Sequence, residues 1–281
     1  MHPRHFLLPI VALALTTFSG PPAQASERCG EIVELESRGE KISYSFRPHE
    51  TDTPKAALVL LAGGHGFLNL DENGCARKLS GNTLVRNQAS LGRAGFATAV
   101  VDAPTDYQGK DGLGGFRADP DHAKDLSLII SDIRERTKLP IYVVGISRGT
   151  ISAANAAVRL TGDRALAGTM LFSPVTSGRE GAHKAWFAQT VFDLPLQNIT
   201  GPLAVVVHRD DKCVRTPPAL GAKVIERAVG TSGKLITVDD GSDDNSTKLT
   251  VKACKGKEPH GFGGQDKEVL AIITGFVNTQ N

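Results

Sequence analysis

The chain has 281 residues, of which 40% are hydrophobic and 22% charged, and its formal net charge is +2. That length suits a large α/β domain whose core buries roughly three quarters of the unfolded surface, and the balance excludes disorder and coiled coil. With so little net charge and no basic run longer than two residues, nucleic acid and anionic membrane surfaces are not expected partners.

The first residues differ from all that follow. Met1 to His5 is cationic, Phe6 to Phe18 is apolar, and Ala23-Gln24-Ala25 is a small-x-small pattern, which together predict a signal peptide over residues 1–25. The apolar run of about thirteen residues is short of the ~20 needed to span a bilayer. No stable membrane anchor is expected after cleavage, and the mature chain, residues 26–281, is expected in the periplasm or outside the cell. Ser26-Glu27-Arg28 ahead of Cys29 lacks the small apolar residues of a lipoprotein signal.

Glu31 to Leu35 and Lys41 to Arg47 alternate apolar with polar residues, as an antiparallel hairpin at a sheet edge does, and Ser37 to Glu40 is the turn between them. Ala56 to Leu61 is continuously apolar, as a strand buried on both faces must be, and it runs into Gly63-Gly64-His65-Gly66. A helix is expected from Leu84 to Gly95 and a buried strand from Ala97 to Val101. The glycine-rich loop Gly109 to Gly115 precedes Asp119-Pro120-Asp121, a helix start, and an amphipathic helix to about Thr137. The strand Ile141 to Val144 comes next. Further strands are expected at Ala167 to Phe172, Leu203 to Val207 and Leu235 to Asp239, with helices near Pro218 to Val229 and Asp266 to Asn278. Arg179 to Thr200 holds Trp186, Phe187, Val191 and Phe192, and reads either as a short cap (179–200) or as an ordinary crossover helix with its aromatics inward. No repeat or low-complexity linker divides the chain, so a single domain over 26–281 is expected. Its class is α/β: a mostly parallel sheet with an N-terminal antiparallel hairpin and helices on both faces.

The pentapeptide Gly145-Ile146-Ser147-Arg148-Gly149 lies directly after one apolar strand and directly before the small-residue stretch Thr150 to Ala157. Strand, sharp turn and helix in that order push a serine hydroxyl out of the sheet, and the glycines give a strained backbone room. Ser147 is therefore the candidate nucleophile. A serine needs a base of near-neutral pKa, which points to histidine. His183, His208 and His260 lie downstream. In an open parallel sheet, catalytic groups gather in loops after the strands, and His260, in the loop after the last strand, is the candidate base. The loop His208-Arg209-Asp210-Asp211-Lys212-Cys213-Val214 supplies the carboxylate that orients the imidazole, from Asp210 or Asp211. The backbone amides of Arg148 and of Gly64 are the expected oxyanion donors.

Four cysteines, Cys29, Cys75, Cys213 and Cys254, are an even count in an exported chain and favour two disulfides, with three pairings open. Pairing Cys213 with Cys254 would tie the aspartate loop to the histidine loop and leave Cys29 to Cys75. The expected mature chain has no C-x-x-C pair, no close histidine pair and no phosphate-binding P-loop, so neither a metal nor another cofactor is expected.

On these residues the chain resembles α/β-hydrolases over most of its exported length: an elbow at Ser147, an aspartate loop and a histidine loop at His260, in the order Ser, Asp, His. More narrowly it is similar to exported bacterial α/β-hydrolases with a G-x-S-R-G-T elbow, a His-Arg-Asp-Asp-x-Cys loop and a cysteine ahead of His-Gly-Phe. The Asp-x-x-Val spacing common at this position in that fold favours Asp211, with Asp210 the alternative. The chain departs from the commoner pattern at Ala62-Gly63, where many relatives carry His-Gly, and places His65 three residues later. The resemblance implies a secreted serine hydrolase, foremost a carboxylesterase acting through an acyl-enzyme on small or medium acyl esters. The alternatives are a peptidase or amidase of the same fold and a hydrolase-like binding protein without catalysis. A metal hydrolase using His65, His208 and the aspartates is the weakest reading. The partner is a small-molecule acyl substrate; oligomeric state is not readable.

Overall fold

The computed structural model describes residues 1, 28–178, 184, 187–239 and 248–280. In chain order these form β1 (Glu31–Ser37), β2 (Glu40–Arg47), β3 (Ala56–Leu61), the short helices α1 (Thr83–Arg86) and α2 (Gln88–Arg93), and β4 (Phe96–Val101). There follow α3 (Pro120–Thr137), β5 (Ile141–Ile146), α4 (Gly149–Arg159), β6 (Gly168–Phe172), β7 (Leu203–His208), α5 (Gly221–Arg227), β8 (Gly233–Val238) and α6 (Asp266–Asn278). The eight strands make one sheet in the order β1-β2-β4-β3-β5-β6-β7-β8. β1 and β2 pair antiparallel, β2 joins β4 antiparallel, and every later pairing is parallel.

The continuously apolar segments become the strands of the sheet interior. β3 to β7 are buried at every position, as strands covered on both faces must be. Because side chains alternate across a strand, β3 splits its residues between two cores. Ala57, Val59 and Leu61 join the cluster beneath α3, α4 and α5, and Ala56, Leu58 and Leu60 join the one beneath α1, α2 and α6. α3 starts where Asp119 caps it by accepting from the Asp121 amide at 2.8 Å, with Pro120 in its first turn, and stops at Lys138 in the left-handed region.

Several boundaries differ from the sequence reading. The helix expected from Leu84 to Gly95 is two helices that meet at Asn87, whose Nδ2 donates to Thr83 O at 2.9 Å and to Asp266 Oδ1 at 2.8 Å. A side chain bonded across to α6 fixes the break. The helix expected near Pro218 begins as a 3-10 turn, Pro218–Leu220, before α5, and the last strand is Gly233–Val238, not Leu235 to Asp239. Of the expected cap over 179–200, residues 179–183 and 185–186, Trp186 among them, lie outside the described residues. The described remainder holds the 3-10 turns Val191–Asp193 and Leu196–Asn198 and no α-helix. The expected signal peptide, Met1 apart, also lies outside the described residues. Among the described residues no helix is long and apolar enough to cross a membrane.

Two disulfides join remote segments, Cys29 to Cys75 and Cys213 to Cys254, and both are compatible with an exported chain.

Candidate active site

β5 delivers Ser147 to the carboxyl edge of the sheet, and α4 begins two residues later. Ser147 has φ +53°, in the left-handed region that a non-glycine residue rarely enters. Its backbone is held there: Ser147 N–H donates to Phe172 O on β6 at 2.9 Å, and its carbonyl accepts from both the amide and the hydroxyl of Thr150. The flanking glycines are required by close approach. A Cβ on Gly149 would stand 2.0 Å from Leu61 O, and one on Gly145 would stand 2.4 Å from Gly149 O. β3, β5 and α4 can converge at this turn only with hydrogen at both positions.

His260 arrives from the loop before α6. Its carbonyl accepts from Ser173 Oγ at 2.8 Å, its neighbour Gly261 accepts from Thr83 Oγ1, and Arg86 Nη2 donates to Phe262 O at 3.2 Å. The imidazole is 3% exposed. Its Nε2 lies 3.0 Å from Ser147 Oγ and its Nδ1 lies 3.0 Å from Asp211 Oδ2. Asp211 sits in the turn after β7, with its other oxygen accepting the Cys213 amide at 2.8 Å. The adjacent Asp210 has Arg209 and Lys212 as charged neighbours, at 3.5 Å and 4.0 Å. Of the two aspartates, the structure brings Asp211 to the imidazole.

The turn after β3 faces the same point. Gly64 has φ +59°, and a Cβ on Gly63 would stand 2.9 Å from Ser147 Cβ. Arg148 follows Ser147 at the N-terminus of α4, where the helix dipole presents positive charge. A cavity of about 420 Å³ opens here, lined by Gly63, Gly64, Leu79, Ile146, Ser147, Cys254 and His260 among others. The Cys213–Cys254 disulfide thus runs from the Asp211 turn to the wall of this cavity.

Cationic groups stand behind and beside the turn. Arg117 is 2% exposed; it donates to Ala62 O at 3.0 Å and to Ser152 Oγ at 2.8 Å. Burial and the charge of Arg148 push its pKa down to about 9. Burial and Arg215 push that of Arg148 down to about 10, against the opposing pull of Asp111. His65 spends its Nδ1 on the Phe67 amide at 3.1 Å, and burial followed by Arg148, Lys78 and Arg117 lowers its pKa. His208 Nδ1 accepts the Asp210 amide at 3.1 Å. Among the described residues the group of three potential metal ligands is Asp211, Cys213 and His260. The sulfur of that group is already bonded to Cys254, leaving only a hydrogen-bonded aspartate and histidine. His183 lies outside the described residues.

Three polar residues that hold the site were not picked out from the sequence: Ser173, Arg117 and Thr216. Thr216 Oγ1 lies 2.7 Å from Asp211 Oδ2 and 3.0 Å from His260 Nδ1. Each is one polar side chain in an unremarkable context, and only the Thr-Pro-Pro run after Cys213 marks the loop as fixed.

No family model matches the chain, and no curated protein matches it. Solved structures do. Est1E from Butyrivibrio proteoclasticus is similar with a TM-score of 0.59 at 15% identity, over 89% of this chain and 99% of that one. A soluble variant of monoglyceride lipase from Saccharomyces cerevisiae, in complex with a substrate analogue, gives 0.58 at 12% identity, over 93% and 99%. An alpha-beta serine hydrolase homologue from Coxiella burnetii gives 0.56 at 15% identity, over 89% and 96%. At such identities the likeness is one of fold, and the fold is that of the α/β-hydrolases.

Proposed function

We propose that this α/β-hydrolase is an exported serine hydrolase, acting as a carboxylesterase on small or medium acyl esters in the periplasm or outside the cell. The observation that carries the reading is the contact of His260 Nε2 with Ser147 Oγ at 3.0 Å, in an imidazole whose Nδ1 meets Asp211 at the same distance. That is the arrangement a general base needs toward a hydroxyl nucleophile.

In this mechanism His260 takes the Ser147 proton as Oγ attacks the ester carbonyl. The developing oxyanion is received by the Gly64 and Arg148 amides, at the positive end of α4, where fixed dipoles need no reorganisation. His260 then passes its proton to the departing alkoxide, which leaves as alcohol. Water, deprotonated by His260, attacks the acyl-enzyme and releases the acid. Asp211 stabilises the imidazolium through Nδ1 without itself being protonated.

The cavity supports the substrate class. About 420 Å³ is near the lower end of the range for small-molecule sites, and Leu79 and Ile146 give it apolar wall beside Ser147. The structural neighbour named as a monoglyceride lipase is in keeping with ester chemistry. Export is supported by the leader-like first residues and by the two disulfides. The test is turnover of a series of chromogenic acyl esters by the purified mature chain and its Ser147→Ala variant. The reading requires turnover that is best with short or medium acyl chains and lost in the variant; full activity in Ser147→Ala contradicts it.

A further inference from the structure

Thr216 touches both partners of the Asp211–His260 pair. Its Oγ1 is 2.7 Å from Asp211 Oδ2 and 3.0 Å from His260 Nδ1. All three residues are buried, at 2%, 1% and 3% exposure for Thr216, Asp211 and His260. The threonine is itself fixed, for its amide donates to Cys213 O at 3.1 Å and so belongs to the turn whose Cys213 amide holds the other Asp211 oxygen. The next residue back, Arg215, is anchored by its guanidinium to Ser177 O at 2.6 Å and to Gln189 O at 2.7 Å.

A hydroxyl has one proton and two lone pairs. Given to Asp211 Oδ2, that proton leaves a lone pair aimed at His260 Nδ1, so the Nδ1 proton is shared between the carboxylate and the threonine oxygen. Nε2 is then bare and can accept from Ser147. Given instead to Nδ1, it would move the ring proton to Nε2, away from the serine's need, and set the carboxylate against an unprotonated nitrogen at 3.0 Å. The carboxylate decides between the two arrangements, because two acceptors at that distance repel.

We infer that Thr216 is a positioning residue that locks the Asp211 carboxylate and, through that carboxylate, keeps His260 in the Nδ1–H tautomer. The inference rests on Ser147, His260 and Asp211 acting as proposed above. Its effect is exerted through Asp211 and His260 and not on the substrate, so it belongs to kcat and not to KM.

The test compares Thr216→Val, which keeps the shape and removes the hydroxyl, with Thr216→Ser, which keeps the hydroxyl and removes the methyl, each also in an Asp211→Asn background. A hydrogen bond to a charged group predicts a fall in kcat of about tenfold to a hundredfold in Thr216→Val, with KM changed less than about twofold. Thr216→Ser should restore most of the rate, and Thr216→Val should add little once Asp211 is asparagine. Wild-type kcat in Thr216→Val overturns the inference. So does an equal loss in Thr216→Ser, which would assign the effect to packing, or an undiminished loss on top of Asp211→Asn. Ser147→Ala, assayed alongside, separates the two levels: if it retains activity the proposed mechanism fails, whatever the threonine variants do.

Discussion

Arg117 Nη2 donates to the carbonyl oxygen of Ala62 at 3.0 Å from a side chain that is 2% exposed. Its other hydrogen-bond partner, Ser152, is also neutral. A buried guanidinium with no carboxylate partner among the described residues is costly, and its pKa, pushed down to about 9, expresses that cost. What the charge holds in return is the last residue before Gly63 and Gly64, the turn that faces Ser147. Arg117→Met is therefore expected to lower kcat by about tenfold or more through a loosened donor turn, with KM altered less. Steady-state kinetics of the purified variant checks this, and an unchanged kcat contradicts it.

The glycine turn itself gives a sharper expectation. A Cβ on Gly63 would stand 2.9 Å from both Ile146 O and Ser147 Cβ, contacts that real side chains avoid, so either the turn or the elbow must move. Gly63→Ala should cost about a hundredfold in kcat, the order expected when an oxyanion donor is misplaced. Gly109→Ala, at a position with nothing near its added Cβ, should leave the rate unchanged and serves as the control.

The Cys213–Cys254 bond closes a separation of 41 residues between the Asp211 turn and the cavity wall. The chain-entropy model gives about 4 kcal/mol for a loop of that size. The Cys213→Ser, Cys254→Ser double variant should lower the urea midpoint accordingly and lose activity below its unfolding transition. Full activity in a destabilised variant would show that the tether serves stability alone.

His122 supplies a pH dependence. Burial, then the charges of Arg117 and Arg38, push its pKa from 6.5 down to about 3, while its Nε2 meets Ser152 Oγ at 2.9 Å. As pH falls below 6.5 the unfolded chain takes up this proton and the folded chain does not until about 3. Stability present above 6.5 is therefore lost across that window, at up to about 1.4 kcal/mol per pH unit from this group. Urea midpoints measured from pH 7 to pH 4 should fall less steeply in His122→Gln than in the parent chain; equal slopes contradict the assignment.

Much of the fold was legible because burial on both faces writes itself as an unbroken apolar run. Ala56 to Leu61, with no polar residue, could hardly be anything but an inner strand. The break between α1 and α2 was not legible, since it depends on Asn87 reaching Asp266 across 179 residues of chain. Ser147 and His260 stood out through glycine spacing and through position after a strand. The choice between Asp210 and Asp211 turns on which of two adjacent side chains a tight turn directs at the imidazole. Spacing by resemblance favours Asp211 and keeps Asp210 as an alternative, and the structure sets Asp211 there through the Cys213 amide and Thr216. Thr216, Ser173 and Arg117 act through contacts 5 to 87 residues distant in sequence, with no motif to announce them.

The proposed mechanism makes Ser147 a nucleophile activated by His260. Its most direct measurement is covalent labelling by a fluorophosphonate, with the modified residue located by peptide mass spectrometry in the parent chain, Ser147→Ala and His260→Ala. The parent chain should carry an adduct on Ser147, Ser147→Ala none at all, and His260→Ala should be labelled more slowly by orders of magnitude. An adduct on another residue, or labelling of Ser147 at the parent rate without His260, contradicts it.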